Sequence, residues 1–105
     1  MVNDNSSSGK ILEFKTFSKE ELPELIRIRV LEFVQLICQH PEHVNVVLAQ
    51  ESNELNFSIY CSEEDKNRLE TTDQNILASL EQVVEGLTFH HGFRGSIKLF
   101  AMNVL

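Results

Sequence analysis

Apolar residues recur at helical spacing through residues 18–40, and this stretch is the strongest predicted helix of the chain. Ser18 and Glu21 have the spacing of a capping box, and Pro23 suits a first helical turn. The apolar stripe consists of Leu22, Ile26, Val30, Phe33 and Ile37, widened by Leu25, Val34 and Leu36. The helix should end before Pro41, because the residue ahead of a proline is pushed out of the α region.

Two apolar segments with strand character follow, at residues 44–49 and 55–61. In the second, apolar and polar residues alternate, which is typical of a half-buried strand. The polar residues 50–54 join the two segments, so the pair is predicted to form a hairpin. Residues 11–17 alternate in the same way, which is compatible with a short extra strand near the N-terminus.

Two more helices are predicted after the hairpin. Ser62 and Asp65 are placed to cap a short helix at residues 62–69. A clean apolar stripe begins after Asn75, and Gly86 is expected to end that second helix.

The chain should close with a loop at residues 89–95 and a strand at 96–104 that buries Ile97 and Leu99 and exposes Lys98. The element order predicts an α+β fold, αββααβ, with helices packed on one face of a small mixed three-stranded sheet. The residues expected to be buried together are Phe33, Phe57, Ile59, Ile76 and Leu80.

Composition is that of an ordinary globular domain, with 105 residues and a formal charge of −7. We therefore expect residues 1–10, which are polar, to form a disordered tail, and residues 11–105 to form one domain. The acidic balance argues against broad attraction to nucleic acid or anionic membranes. Cys38 and Cys61 lie in apolar patterns and are interpreted as buried free thiols, which together with the lack of a signal region or membrane span suggests a cytoplasmic protein.

Three short motifs carry a family resemblance. The first two are "QHPEHVNV" at residues 39–46 and "CSEED" at 61–65. The third is Leu69, followed by a polar corner at residues 71–74 and by a helix face formed by Ile76, Leu80 and Val83. In this order they resemble the small bacterial single-KH RNA-binding proteins. The resemblance covers roughly residues 32–104 and implies a type II KH fold.

That resemblance places a degenerate G-x-x-G loop at the corner, with Thr71, Thr72, Asp73 and Gln74 in its positions. In KH domains this loop clamps the backbone of about four nucleotides. The implied nucleic-acid-binding residues are these four together with Lys66 and Arg68. Both glycine positions carry side chains here, and residues 62–86 hold seven acids against two bases, so the clamp is expected to be weakened.

The corner has a second interpretation, as an ordinary capped turn between helices. Thr and Asp are common capping residues, and Asp73 could accept hydrogen bonds from the N–H groups that open the next helix. The carboxylate would then take the place of a phosphate at the positive helix end.

Other residue clusters give weaker signals. Cys38, His40, His43, His90 and His91 match no standard zinc spacing, so neither a metal nor another cofactor is expected. The loop "FHHGFRG" could stack single-stranded bases on Phe89 and Phe93, with Arg94 as a base, or simply place a Phe at the core edge. No nucleophile–base pair or phosphate-cradling loop stands out, and we do not expect an enzyme.

Two functions follow from these observations. The first is a KH-like RNA-binding module that binds single-stranded RNA weakly through an altered clamp. The alternative is a KH-like scaffold that has lost RNA binding and works by protein contact, including self-association through residues 11–17. The resemblance favours the first, whereas the charge and the chemistry of the corner favour the second.

Overall fold

The structure is a computed structural model that describes residues 18–71 and 75–102. Its helices are α1 (Leu22–Ile37), α2 (Glu63–Thr71) and α3 (Ile76–His90), and a short 3-10 turn covers Pro41–His43. Its strands are β1 (Asn45–Glu51), β2 (Glu54–Cys61) and β3 (Arg94–Ala101). The α+β class is confirmed. The predicted tail and the extra strand at 11–17 lie outside the described residues, and a single domain over 11–105 stays a prediction.

The strands form one mixed sheet in the order β1-β2-β3. The central strand β2 is antiparallel to β1 and parallel to β3. The hairpin is tighter than expected, because a two-residue turn joins Glu51 to Glu54. Ser52 has a φ of 58°, the positive value that such turns require at their first central position.

One sheet face is covered by helices and forms the core. Phe57 and Ile59 on β2 are buried, as is Leu80 on α3, which agrees with the prediction for these three residues. The prediction was wrong for Phe33, which remains 43% exposed, and Ile76 is only partly buried. The apolar stripe of α1 is wider than the part of the helix that packs on the sheet, so the residues at the margin of the stripe remain exposed. Among the described residues, no helix is long and apolar enough to cross a membrane.

Reciprocal hydrogen bonds between Ser18 and Glu21 precede α1, and they confirm the capping box. The Ser18 N–H donates to Glu21 Oε1 at 3.0 Å, and the Glu21 N–H donates to Ser18 Oγ at 3.3 Å. Pro23 lies in the first turn, as predicted. The helix ends at Ile37, ahead of Pro41. Local sequence therefore determines where α1 begins and ends.

Helix α3 continues past Gly86, which was wrongly expected to end it, and reaches His90. The chain turns away from the helix axis at Gly92, two residues after His90, where φ is +86°. The N–H groups of Gly92 and Phe93 donate to the carbonyls of Phe89 and Thr88, at 3.0 and 2.8 Å. This pattern is a Schellman motif, and a glycine is the residue best able to take its left-handed position.

The predicted loop at 89–95 is consequently shorter, because Phe89 and His90 belong to α3 and β3 already begins at Arg94. Phe93 inserts into the core, whereas Phe89 is 79% exposed. Strand β3 ends at Ala101, and positions 103 and 104 of the predicted strand lie outside the described residues. Lys98 is exposed and Ile97 is buried, as predicted, but Leu99 is only partly buried.

Candidate functional site: the α2–α3 corner

Helix α2 leads into the corner and begins with a side-chain cap. The Asp65 N–H donates to Ser62 Oγ at 3.1 Å, and the Ser62 hydroxyl donates to Asp65 Oδ2 at the same distance. The predicted capping role of Ser62 is confirmed, whereas the Asp65 carboxylate accepts from the Ser62 hydroxyl and from backbone N–H groups outside α2. Lys66, Arg68 and Thr71 follow along the same short helix.

Both bases assigned to a phosphate clamp are paired with acids of the same helix. Arg68 Nη1 lies 3.1 Å from Asp65 Oδ1 and donates to the Ile37 carbonyl at 3.4 Å. Lys66 Nζ lies 2.9 Å from Glu70 Oε1. A phosphate would have to compete with these carboxylates for either base, so the structure brings the bases to the corner with much of their charge already compensated.

The polar corner itself is only partly described. The Thr71 hydroxyl donates to the Asn67 carbonyl one turn back, so it is engaged within its own helix. Thr72, Asp73 and Gln74 lie outside the described residues, and the capping role of Asp73 therefore stays a prediction. Asn75, which the sequence did not single out, caps α3 from a left-handed conformation, with Oδ1 accepting from the Ala78 N–H at 3.3 Å.

Asp65 is the most highly connected polar group beside the corner, and it is fully buried. Its two oxygens accept separately from the N–H groups of Gln39 and His40, at 2.9 and 3.0 Å, and also from Ser62 and Arg68. Burial alone would raise the pKa of this carboxyl, but these hydrogen bonds outweigh burial and hold the pKa below its ordinary value. Asp65 thus joins the end of α1 to the start of α2 as a carboxylate.

The sequence signal for Asp65 was limited to its capping position three residues after Ser62. Its longer-range bonds to residues 39 and 40 depend on how α1 and α2 meet. Sequence spacing alone could not place a segment 25 residues earlier against this carboxylate. The role of Asp65 as a tertiary connector was therefore missed.

The cysteine and histidine residues do not converge on a metal site. Within the described residues, no group of three or more His, Cys, Asp or Glu side chains is arranged to hold an ion. Both cysteines are free, but only Cys61 is fully buried, which corrects the prediction for Cys38. Burial, followed by the Asp65 charge, raises the pKa of the Cys38 thiol to about 12. A thiol of that pKa is a poor nucleophile at neutral pH.

An apolar groove of about 300 Å³ runs between α1 and α3. Ile26, Val30 and Leu80 form its buried floor, and Phe33 and Val83 line it with partly exposed side chains. The sequence patterns of the two helices indicated apolar faces, but they placed Phe33 in the core rather than at the border of a groove.

Comparison with protein-family models, curated proteins and solved structures found no match.

Proposed function

We propose that this chain is a type II KH-like module that acts by protein contact, through self-association, and that its RNA clamp is weak. The order αββααβ supports the KH-like assignment. The central strand, antiparallel to one neighbour and parallel to the other, and the short α2–α3 corner agree with it. The motifs of residues 39–46 and 61–65 add the sequence resemblance.

The observation that carries the proposal is the apolar groove between α1 and α3. Phe33, Val83 and Leu87 border it and are 43%, 63% and 41% exposed. Contiguous exposed apolar surface of this kind is typical of interaction sites. Burying these side chains against a partner would remove apolar area from water at roughly 25 cal/mol per Å².

The groove lining permits a second copy of the chain as the occupant. The chain carries a net charge of −7, so two copies repel each other over most orientations. Among the described residues that line the groove, Arg29 is the one that is charged, and it is paired with Glu32 of its own helix at 2.9 Å. Two copies can therefore meet groove to groove without bringing acids of the lining together. A two-fold dimer uses the same surface on both copies, as this geometry requires.

Sedimentation velocity over a range of protein concentrations tests the proposal. The wild type should show a concentration-dependent shift from monomer to dimer, and Val83→Glu should abolish it by placing an acid in each facing groove. Asn67→Glu is the matched control, because it adds the same charge at an exposed position of α2 outside the groove. A monomeric wild type at all concentrations, or equal loss of dimer in both variants, would overturn the proposal.

RNA binding remains the second candidate function, because the Arg68 side chain is 44% exposed despite its ion pair. Fluorescence anisotropy with a labelled single-stranded RNA should show weak binding whose affinity falls with salt. Arg68→Gln should reduce the slope of log K against log salt, since one phosphate contact is lost. Tight wild-type binding that depends on Arg68 would instead make RNA the principal ligand.

A further inference from the structure

The sheet has a second face, which points away from the helix-covered core. Side chains alternate along each strand, and the register aligns those of the second face in rows that cross all three strands. The two rows at one end of the sheet, which we call the aromatic patch, consist of Asn45, Tyr60, Phe100, Val47, Ser58 and Lys98. Phe100 and Val47 are 40% and 46% exposed, so part of the patch contacts solvent.

Two aromatic rings stack at the end of the patch. Tyr60 on β2 and Phe100 on β3 lie directly opposite each other, with their ring centroids 5.3 Å apart and their planes 21° apart. Because the stack restricts both side chains, ordering the Phe100 ring against a ligand costs little further entropy. The bases of single-stranded nucleic acid stack on aromatic side chains of proteins whatever the sequence, since every base has a planar face.

Lys98 supplies positive charge beside the rings. It is exposed, lies two residues from Phe100 on the same strand, and forms no ion pair with a described residue. Four bases of α1 and α2 are instead paired with acids of their own helices, namely Arg27, Arg29, Lys66 and Arg68. The charge of Lys98 is therefore available to an anion, whereas these four bases are already partly compensated.

The acids that the three strands place on the second face lie far from Lys98. Glu51 and Glu54 form the last row together with Arg94, four residues along the strands from the row of Lys98. Four residues of strand extend about 13 Å, which exceeds the Debye length of ~8 Å at physiological ionic strength. The patch thus presents a positive charge, although the chain as a whole has a net charge of −7.

We propose that the aromatic patch binds single-stranded RNA, with a base stacked against Phe100 and a neighbouring phosphate paired with Lys98. RNA combines the two properties that the patch requires, which are planar groups and negative charge. An apolar protein surface would also cover the rings, but it would bury Lys98 without a partner, which is costly. The patch does not depend on self-association through the α1–α3 groove, because that groove lies between helices on the other side of the sheet.

Fluorescence anisotropy with a short labelled single-stranded RNA tests the role of the ring. Phe100→Leu removes the ring but keeps an apolar side chain, and it should weaken binding by about fivefold or more. Phe89→Leu is the matched control, because it makes the same change at a phenylalanine of α3 that is 79% exposed and lies outside the patch. The control should bind RNA as the wild type does.

The same assay over a range of salt concentrations tests the role of Lys98. Lys98→Gln should reduce the slope of log K against log salt by about 0.7, the value for one phosphate contact in a single strand. Arg94→Gln removes the same charge from the other end of the same strand and should change the slope less.

Tyr60 gives a direct readout in the unmodified chain, because it is the only tyrosine and the chain has no tryptophan. RNA should quench its fluorescence with the same midpoint as the anisotropy change, and this measurement does not require any variant to fold. Absence of wild-type binding, or binding without quenching, would overturn the proposal. Equal effects of Phe100→Leu and Phe89→Leu would overturn it as well. Loss of binding in Arg68→Gln alone would place the RNA at the corner instead, and altered sedimentation of Phe100→Leu with unchanged RNA binding would make the patch a contact between copies.

Discussion

Removing the carboxylate of Asp65 should be among the most destabilising single changes beside the corner. Its two oxygens accept from two different backbone N–H groups, those of Gln39 and His40. Asn at this position retains one acceptor oxygen, and its amide NH2 would face the other N–H donor. Each unsatisfied buried donor costs ~1–3 kcal/mol, and loss of the charge partner of Arg68 adds to this. We therefore expect Asp65→Asn to lower the free energy of unfolding by ~3–5 kcal/mol.

Urea titration at pH 7 measures this loss, with Glu63→Gln as the matched control. Glu63 lies in the same first turn of α2 and is exposed, so the control removes one negative charge without breaking the connector. Its cost should stay within ~0.5 kcal/mol. A cost of Asp65→Asn as small as that of Glu63→Gln would refute the reasoning.

The pH dependence gives an independent check on the same carboxylate. The folded pKa of Asp65 is lowered from an ordinary value of 3.8, so its contribution is complete well above that value. The contribution should disappear as the pH falls from about 5 through the folded pKa, because the unfolded state then binds the proton more readily. The difference in unfolding free energy between wild type and Asp65→Asn should accordingly shrink in acid. A difference that stays constant down to pH 2 would mean that the charge of Asp65 does not contribute.

Three further predictions concern the core, a close backbone approach and the corner. Leu80→Ala should cost ~2–5 kcal/mol in a denaturant titration, whereas Val83→Ala, on the exposed side of the same helix, should cost far less; similar losses would mean that the helix face is assigned wrongly. Gly95→Ala should lower the unfolding free energy by ~1–3 kcal/mol, because its Cβ would lie 2.6 Å from Thr88 Oγ1, and an unchanged value would show that Thr88 can move aside. Restoring a glycine clamp should raise the affinity for single-stranded RNA and make that affinity depend more steeply on salt in anisotropy measurements. Unchanged binding would mean that the corner does not contact RNA. The changes required together are Thr71→Gly, Asp73→Lys and Gln74→Gly.

Several features of the fold could be predicted from sequence because they depend on neighbouring residues. The Ser18–Glu21 capping box and Pro41, which prevents the helix from continuing, indicate the two ends of α1 to within a few residues. Alternation through residues 55–61 identified β2 and its buried face. Such signals act between residues that lie within one helical turn or a few strand positions of each other, and the chain itself holds these residues close together.

Other features were decided by tertiary packing. Helix α3 passes through Gly86 because Thr88, two residues before the helix ends, is fully buried, and its hydroxyl donates to the Val84 carbonyl at 2.7 Å. A mid-helix glycine costs only about 1 kcal/mol, which such packing offsets. Phe33 belongs to the apolar stripe of α1, yet it borders a groove, because periodicity orients a residue about its own helix axis without showing what covers it.

At the corner, the sequence by itself determined which residue types are present: acids in excess, two bases, and no glycine in the loop positions. Only the tertiary structure decided how they are used. It paired Arg68 with Asp65, and it brought the end of α1 within hydrogen-bonding distance of the same carboxylate. A charge pattern along the chain gives the total charge of a surface, whereas the partner of each charge depends on distances of about 3 Å that are set when separate elements pack together.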